Sequence, residues 1–211
     1  GAHQTVADYL RGRYGLSYKQ IGIISGPSHA EEVSLEHLTY LTVVCTDPGN
    51  AHRLSERFAT PYIALSCSND LYGVEYAAIL KNIYALAVGM AVGLGYSDNF
   101  LAVLISNGAM EMTRFLSRSH PAERDTAASV YLGDLLVTCY SEFSRNRRLG
   151  LLVGRGMTVR AALNEMTMVA EGYFAAECIR HINTQHGIEI PIADMVYDVL
   201  YNGTPARKAM Q

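Results

Sequence analysis

The chain lacks any strong surplus of charge: its 211 residues carry a formal net charge of −3, with a pI near 6.2. Such mild acidity excludes a global pull toward nucleic acid or an anionic membrane, so any anion site must be local. Paired cysteines are missing too. Cys45, Cys67, Cys139 and Cys178 form no CxxC pair, and Cys178-Ile179-Arg180-His181 is a lone CxxH spacing with no second pair to complete a site. That argues against zinc or another metal, and isolated cysteines of this kind serve mostly as small buried hydrophobes. There is no G-x-G-x-x-G turn, although an α/β sheet that binds a dinucleotide normally opens with a strand running into one. Gly93-Leu94-Gly95 and Gly154-Arg155-Gly156 follow helical stretches rather than strands and read as helix terminators. No internal repeat, low-complexity tract or signal peptide is evident, and a reduced, cytoplasmic setting is the expectation. No Ser/His/Asp or Cys/His nucleophile arrangement stands out among the scattered histidines.

What the sequence does hold is apolar bulk, 49% of its residues, enough for one large domain or two small ones. The longest apolar run, Leu71–Gly95, has the length of a helix of about six to seven turns. After Glu75 its only formal charge is Lys81. Burial would lower the pKa of such a lysine toward the range useful in proton transfer. The plainer alternative is a stem lying along apolar surface with the ammonium in water. Glu75, Lys81 and Asn82 speak against a membrane span, and the run reads as the central helix of a soluble core.

The two ends of the chain differ in texture. Residues 1–70 carry a helix over Val6–Tyr14, strands over Ile21–Ser25, Leu38–Thr46 and Pro61–Cys67, and helices over Ser28–Val33, capped by Ser28, and Asn50–Phe58. That is β-α-β texture, part of an α/β sheet. From Leu71 onward only helices are predicted: Leu71–Leu94, Asn99–Arg118, Pro121–Tyr131, Ser144–Val153, Val159–Met166, Gly172–His186 and Ile192–Tyr201. The expected division is thus 1–70, the end of a dinucleotide-binding domain, and 71–211, an all-helical domain. The chain reads as starting partway through its first domain, with Gly1 a cloning scar.

Two polar clusters interrupt the helical part. Asp134 and Thr138 stand four apart and share a face if their segment is helical. A carboxylate among apolar neighbours can orient a lysine or a substrate hydroxyl; the alternative is a helix cap and a hydroxyl bonded to its i−4 carbonyl. In Ser141–Leu149, Ser144 is a plausible N-cap followed by Arg145, Asn146, Arg147 and Arg148. Free N–H groups, an arginine fork, an amide and a hydroxyl together suit a phosphate. A solvated basic face fits Arg147 and Arg148 better than Arg145.

Five motifs occur in order: Ser25-Gly26-Pro27-Ser28-His29-Ala30-Glu31-Glu32-Val33, Gly73-Val74-Glu75 leading to Leu80-Lys81-Asn82, Gly133-Asp134-Leu135 with Thr138-Cys139, Ser144-Arg145-Asn146-Arg147-Arg148, and Val169-Ala170-Glu171-Gly172-Tyr173. In this combination the chain closely resembles NAD(P)-dependent glycerol-3-phosphate dehydrogenases, over about Ile21 to Ala206. The resemblance implies a mainly α fold, a helical domain like that of 6-phosphogluconate dehydrogenase after the last elements of a truncated Rossmann domain. It implies reversible reduction of dihydroxyacetone phosphate to sn-glycerol 3-phosphate with NADH or NADPH, feeding phospholipid synthesis. Lys81 matches the general acid/base and Asp134 the carboxylate that orders it. Gly26, Ser28, Ser144, Arg145 and Asn146 match substrate contacts, with Thr138 in support. Ala30, Asn82, Arg145, Val169 and Glu171 match cofactor-side positions. Departures are Tyr76-Ala77-Ala78 for Leu-Gly-Gly, Ser106-Asn107-Gly108 for Thr-Arg-Gly and Val130-Tyr131 for Ala-Gly. The glycine-rich turn and an upstream Lys-Gly motif are absent, so the fragment alone is expected to have little or no turnover. The alternatives are a diverged non-catalytic phosphate-binding or dimerisation module, and a related two-domain reductase of another small hydroxy compound. The long apolar helices permit a homodimer without demanding one.

Overall fold

The computed structural model describes residues 4–211; Gly1 lies outside them. The chain forms two compact units, one gathering the residues up to Ala78 with His120–Asp134, the other Ile79–Ser119 with Leu135–Gln211.

The first unit opens with α1 (Val6–Tyr14), capped by the Thr5 hydroxyl, which accepts from Asp8 N–H, and closed by Gly15. Then come β1 (Ile23–Ser25), α2 (Ala30–Ser34), β2 (Thr39–Val44), α3 (Pro48–Phe58) and β3 (Ile63–Ser68). The sheet order is β1-β2-β3. β1 lies antiparallel to β2, with Ile23 opposite Val44, and β2 lies parallel to β3, with Val43 opposite Cys67. The parallel pair requires a crossover, which α3 supplies. Asp47 caps α3 by accepting from Asn50 N–H at 2.9 Å, and Pro48 takes the first helical position, where no N–H is needed. Val43, Cys45 and Ala51 pack with Leu54 and Leu65 between helix and sheet. Ser28 does not cap α2. Its hydroxyl donates to the Gly26 carbonyl at 3.3 Å, and His29 takes the N-cap position instead.

α4 (Leu71–Leu94) runs from the first unit into the second. It is long and apolar enough to cross a membrane, but 61% of its most apolar window is buried within the protein. A helix apolar on all sides is a core helix. Asp70 starts it, accepting from Gly73 N–H at 3.1 Å. The same carboxylate takes a forked pair from Arg124, at 2.7 and 3.0 Å, and the Tyr131 hydroxyl at 2.5 Å. The predicted helix over Pro121–Tyr131 does not form. Arg124 also donates to the His120 carbonyl, Asp125 accepts Ala127 N–H, and residues 129–133 make a single wide π-type turn. Side chains that bond this way compete with helical backbone bonding. Two of the sequence departures fall here: Tyr131 on Asp70, and Tyr76, whose ring lies 4.9 Å from that of His120.

Burial would raise the Asp70 carboxyl, but the Arg124 and Tyr131 bonds outweigh it and hold the carboxyl below its ordinary range. The side chains of Arg124 and Asp70 are only 6% and 13% exposed. Arg124→Ala leaves a buried carboxylate unpaired and should cost about 3–5 kcal/mol, read as a lower urea midpoint. A carboxyl with a depressed folded pKa contributes stability that is present above its unfolded value and lost as pH falls through the folded one. The acid limb below about pH 4 should therefore flatten in Arg124→Ala. A midpoint within 0.5 kcal/mol of the parent, about the range of ordinary surface substitutions, would refute the assignment.

The second unit is helical: the later turns of α4, then α5 (Asp98–Ser119), α6 (Asp134–Tyr140, whose first residue is counted with the first unit), α7 (Arg145–Gly154), α8 (Val159–Glu165), α9 (Glu171–His186), α10 (Pro191–Tyr201) and α11 (Ala206–Ala209). Leu80, Ile83, Leu86, Met90, Phe115, Leu149 and Ile179 are fully buried. Glu111 on α5 is buried and accepts from Ile192 and Ala193 N–H at 2.9 and 3.0 Å, capping α10 from outside the helix.

Gly95 and Gly156, both at positive φ, do end helices. Gly93 lies inside α4 and Gly154 is the last residue of α7, and the two form half of a glycine crossing. Gly89 and Gly93 of α4 face Gly150 and Gly154 of α7. A Cβ on Gly93 would sit 2.5 Å from the Leu151 carbonyl oxygen, and one on Gly154 2.9 Å from Met90 Cα. A Cβ on Gly89 or Gly150 would overlap the carbonyl of Arg147 or Leu86 outright. The two helices therefore touch backbone to backbone, and that contact sets the position of the first turn of α7.

Candidate functional site

In the helical unit the glycine crossing brings the start of α7 beside the middle of α4. Ser144 is the N-cap of α7, as predicted, its hydroxyl oxygen accepting from Arg147 N–H at 3.3 Å. Asn146, buried, joins three helices. Its side-chain Oδ1 accepts Gly172 N–H of α9 at 2.8 Å, and its side-chain amide donates to Asn82 Oδ1 of α4 at 2.9 Å. The backbone donor at Gly172 fixes which way the Asn146 amide points. A Cβ on Gly172 would lie 2.7 Å from the Asn82 backbone carbonyl oxygen and 2.9 Å from Asn146 Oδ1, so only glycine lets α9 begin there.

Lys81, one residue before Asn82 on α4, is half-buried. Burial pushes the Cys139 thiol of α6 up to about 12, while the charges of Arg147 and Lys81 pull it down. Arg147 departs from the solvated face expected of it: the residue is half-buried, and its Nε is buried without a hydrogen-bond partner. Basic residues in a first helical turn oppose the helix dipole, so local helix stability does not account for Arg147. Arg148 is exposed, as expected.

Arg145 donates to the Glu171 carboxylate at 3.0 Å, the two side chains being 39% and 53% exposed. Val169, just before α9, is 59% exposed. Thr138 on α6 is buried. The helical unit thus joins Asn82 to Asn146 and Arg145 to Glu171 through direct hydrogen bonds, with Lys81 one residue before Asn82 on α4.

In the first unit, Gly26 follows β1 with φ at +142°, and a Cβ there would lie 2.9 Å from the Tyr40 carbonyl oxygen, so this turn requires glycine. Ser28 and Ala30 follow it, both exposed. Asp134, the first residue of α6 and 2% exposed, lies four residues before Thr138 on one helix, as their spacing predicted. Among the described residues, no three His, Cys, Asp or Glu side chains are grouped for a metal.

The family model of the NAD-dependent glycerol-3-phosphate dehydrogenase C-terminus matches residues 70–211, and that of the N-terminus matches residues 1–51. A glycerol-3-phosphate dehydrogenase [NAD(P)+] of Geobacter sulfurreducens is 42% identical over 189 residues, 89% of this chain and 56% of the relative. One from Staphylococcus epidermidis is 38% identical over 191 residues, 90% of this chain and 58% of the relative. This chain thus spans a little under three-fifths of those relatives' length. The crystal structure of glycerol-3-phosphate dehydrogenase from Coxiella burnetii superposes with a TM-score of 0.93 at 29% identity, covering 99% of this chain and 64% of that one.

Proposed function

This chain belongs to the NAD-dependent glycerol-3-phosphate dehydrogenase family, and from that premise we propose that it carries the proton-transfer and phosphate-binding part of an enzyme reducing dihydroxyacetone phosphate to sn-glycerol 3-phosphate. The observation that carries the reading is the Asn82–Asn146 bond, which ties the residue after Lys81 to the first turn of α7, where Arg145 and Arg147 also lie. Cationic side chains at a helix N-terminus suit a phosphorylated carbonyl compound.

Bound NADH or NADPH would supply the hydride. Asn82, Arg145, Val169 and Glu171, with Ala30, form the cofactor side; the exposed side chain of Val169 and the polar groups of its neighbours suit contact with part of a nucleotide. Lys81 gives a proton to the carbonyl oxygen in reduction and takes it from the hydroxyl in oxidation. Asp134 orders the lysine and the substrate hydroxyl, with Thr138 in support. Arg145, Ser144 and Asn146 bind the substrate phosphate, and Gly26 and Ser28 form the substrate loop. The Arg145–Glu171 pair is half-exposed, and such pairs contribute about 0–1 kcal/mol, so Arg145 can exchange it for a doubly charged phosphate. The setting is cytoplasmic, and a homodimer is compatible with the reading.

The test is NADH or NADPH oxidation with dihydroxyacetone phosphate by a full-length chain carrying this sequence. Turnover is expected, and Arg145→Ala should raise KM by about 10–100-fold, the worth of one or two charge-assisted hydrogen bonds. An unmoved KM would favour a reductase of an unphosphorylated hydroxy compound. A folded chain inactive with both cofactors would favour the non-catalytic module.

A further inference from the structure

A large cavity of the helical unit is away from these residues, at the other end of α7. It has a volume of about 610 Å³ and is bounded by the Gly154–Val159 turn, the end of α10 and the start of α11. Small-molecule sites commonly hold about 300–1,000 Å³ and combine apolar walls with a few converging polar groups. Here Val153 and Leu200, both nearly buried, supply apolar wall. Tyr201 adds an aromatic face, held in place because its hydroxyl donates to the Tyr173 carbonyl at 2.8 Å.

The polar side of the cavity has one sign. Arg155 and Arg207 line it, and no aspartate or glutamate does. Among the described residues neither guanidinium makes a salt bridge or hydrogen bond. The Thr158 hydroxyl accepts from Ala161 N–H as the cap of α8, which leaves its proton for a ligand, and Thr204 provides a second hydroxyl. Two guanidinium forks with nearby hydroxyl donors match a phosphate or carboxylate. Nothing in the proposed reaction uses these groups.

We propose that this cavity binds a small organic anion, a phosphate or carboxylate joined to an apolar or aromatic body, with Arg155 and Arg207 holding the anion and Tyr201 and Leu200 the body. The site is independent of the dehydrogenase reading and is tested on this chain without an activity assay. With methyl-labelled methionine, NMR can follow Met157, which lines the cavity, and Met112, which is buried in α5. Titration with 1-naphthyl phosphate should move the Met157 methyl saturably and leave Met112 in place. Arg155 and Arg207 are exposed, and the R155A/R207A double variant removes no hydrogen bond or ion pair among the described residues, so it should keep its unfolding midpoint while binding at least tenfold more weakly. Neutral 1-naphthol should likewise bind at least tenfold more weakly. No Met157 response, equal binding of 1-naphthol, or unchanged affinity in the double variant would each overturn the proposal.

Discussion

Lys81→Met in a full-length chain will lower kcat for dihydroxyacetone phosphate reduction by about 10²–10⁴-fold, the usual contribution of a positioned general acid. Methionine keeps an unbranched stem of similar length in the half-buried position, so the loss should be chemical rather than structural. At 1.36 kcal/mol per tenfold change, this is about 3–5 kcal/mol of transition-state stabilisation. KM should move little, because the phosphate contacts assigned to Arg145, Ser144 and Asn146 remain. Lys81→Arg should not restore the rate: guanidinium keeps its charge but does not release its proton near neutral pH. Steady-state rates with a saturating cofactor test this, with circular dichroism to verify folding. A Lys81→Met enzyme within tenfold of the parent would remove Lys81 from the chemistry and leave the phosphate site as the only function of this cluster.

Gly150→Val will destabilise the chain by more than about 3 kcal/mol, beyond the common range for overpacking, because the clash is with backbone rather than a movable side chain. A Cβ at this position would overlap the Leu86 carbonyl and lie 2.9 Å from Met90 N. Either α7 moves away from α4 or the α4 backbone distorts, and the Asn146–Asn82 bond is lost with the first. At a urea slope of about 1–3 kcal/mol/M, the midpoint should fall by 1 M or more. Gly156→Ala makes a useful contrast: a Cβ there meets nothing within 4 Å, so its cost comes only from its positive φ. Equal midpoints for Gly150→Val and the parent would mean that the two helices do not meet backbone to backbone.

Most helices were legible because each is marked by its own residues. Thr5, Asp47, Ser144 and Thr158 all cap the helices that follow them, and Gly15, Gly95 and Gly187 close helices through left-handed backbone. The Pro121–Tyr131 segment misled because its composition permits a helix while Asp70, more than 50 residues away in sequence, recruits Arg124 and Tyr131. Ser28 misled for a related reason: its hydroxyl found a nearer partner in the Gly26 carbonyl.

The residues proposed for chemistry were visible because charge in an apolar run is conspicuous: Lys81 in α4 and the basic first turn of α7. What their sequence could not reveal was distance. Asn82 and Asn146 are 64 residues apart, and only the glycine crossing of α4 and α7 brings them within 2.9 Å. Gly93 and Gly154 read as terminators because a glycine near a helix end has two uses, to turn the chain or to admit another backbone, and local sequence does not distinguish them. Arg147 read as solvated because its burial depends on what packs above it. The sequence by itself determined the elements, their caps and the types of group available for proton transfer and anion binding, all of which depend on neighbours a few residues away. Tertiary structure decided which of those groups meet, which are buried and where a cavity remains, because these depend on close packing between segments far apart along the chain.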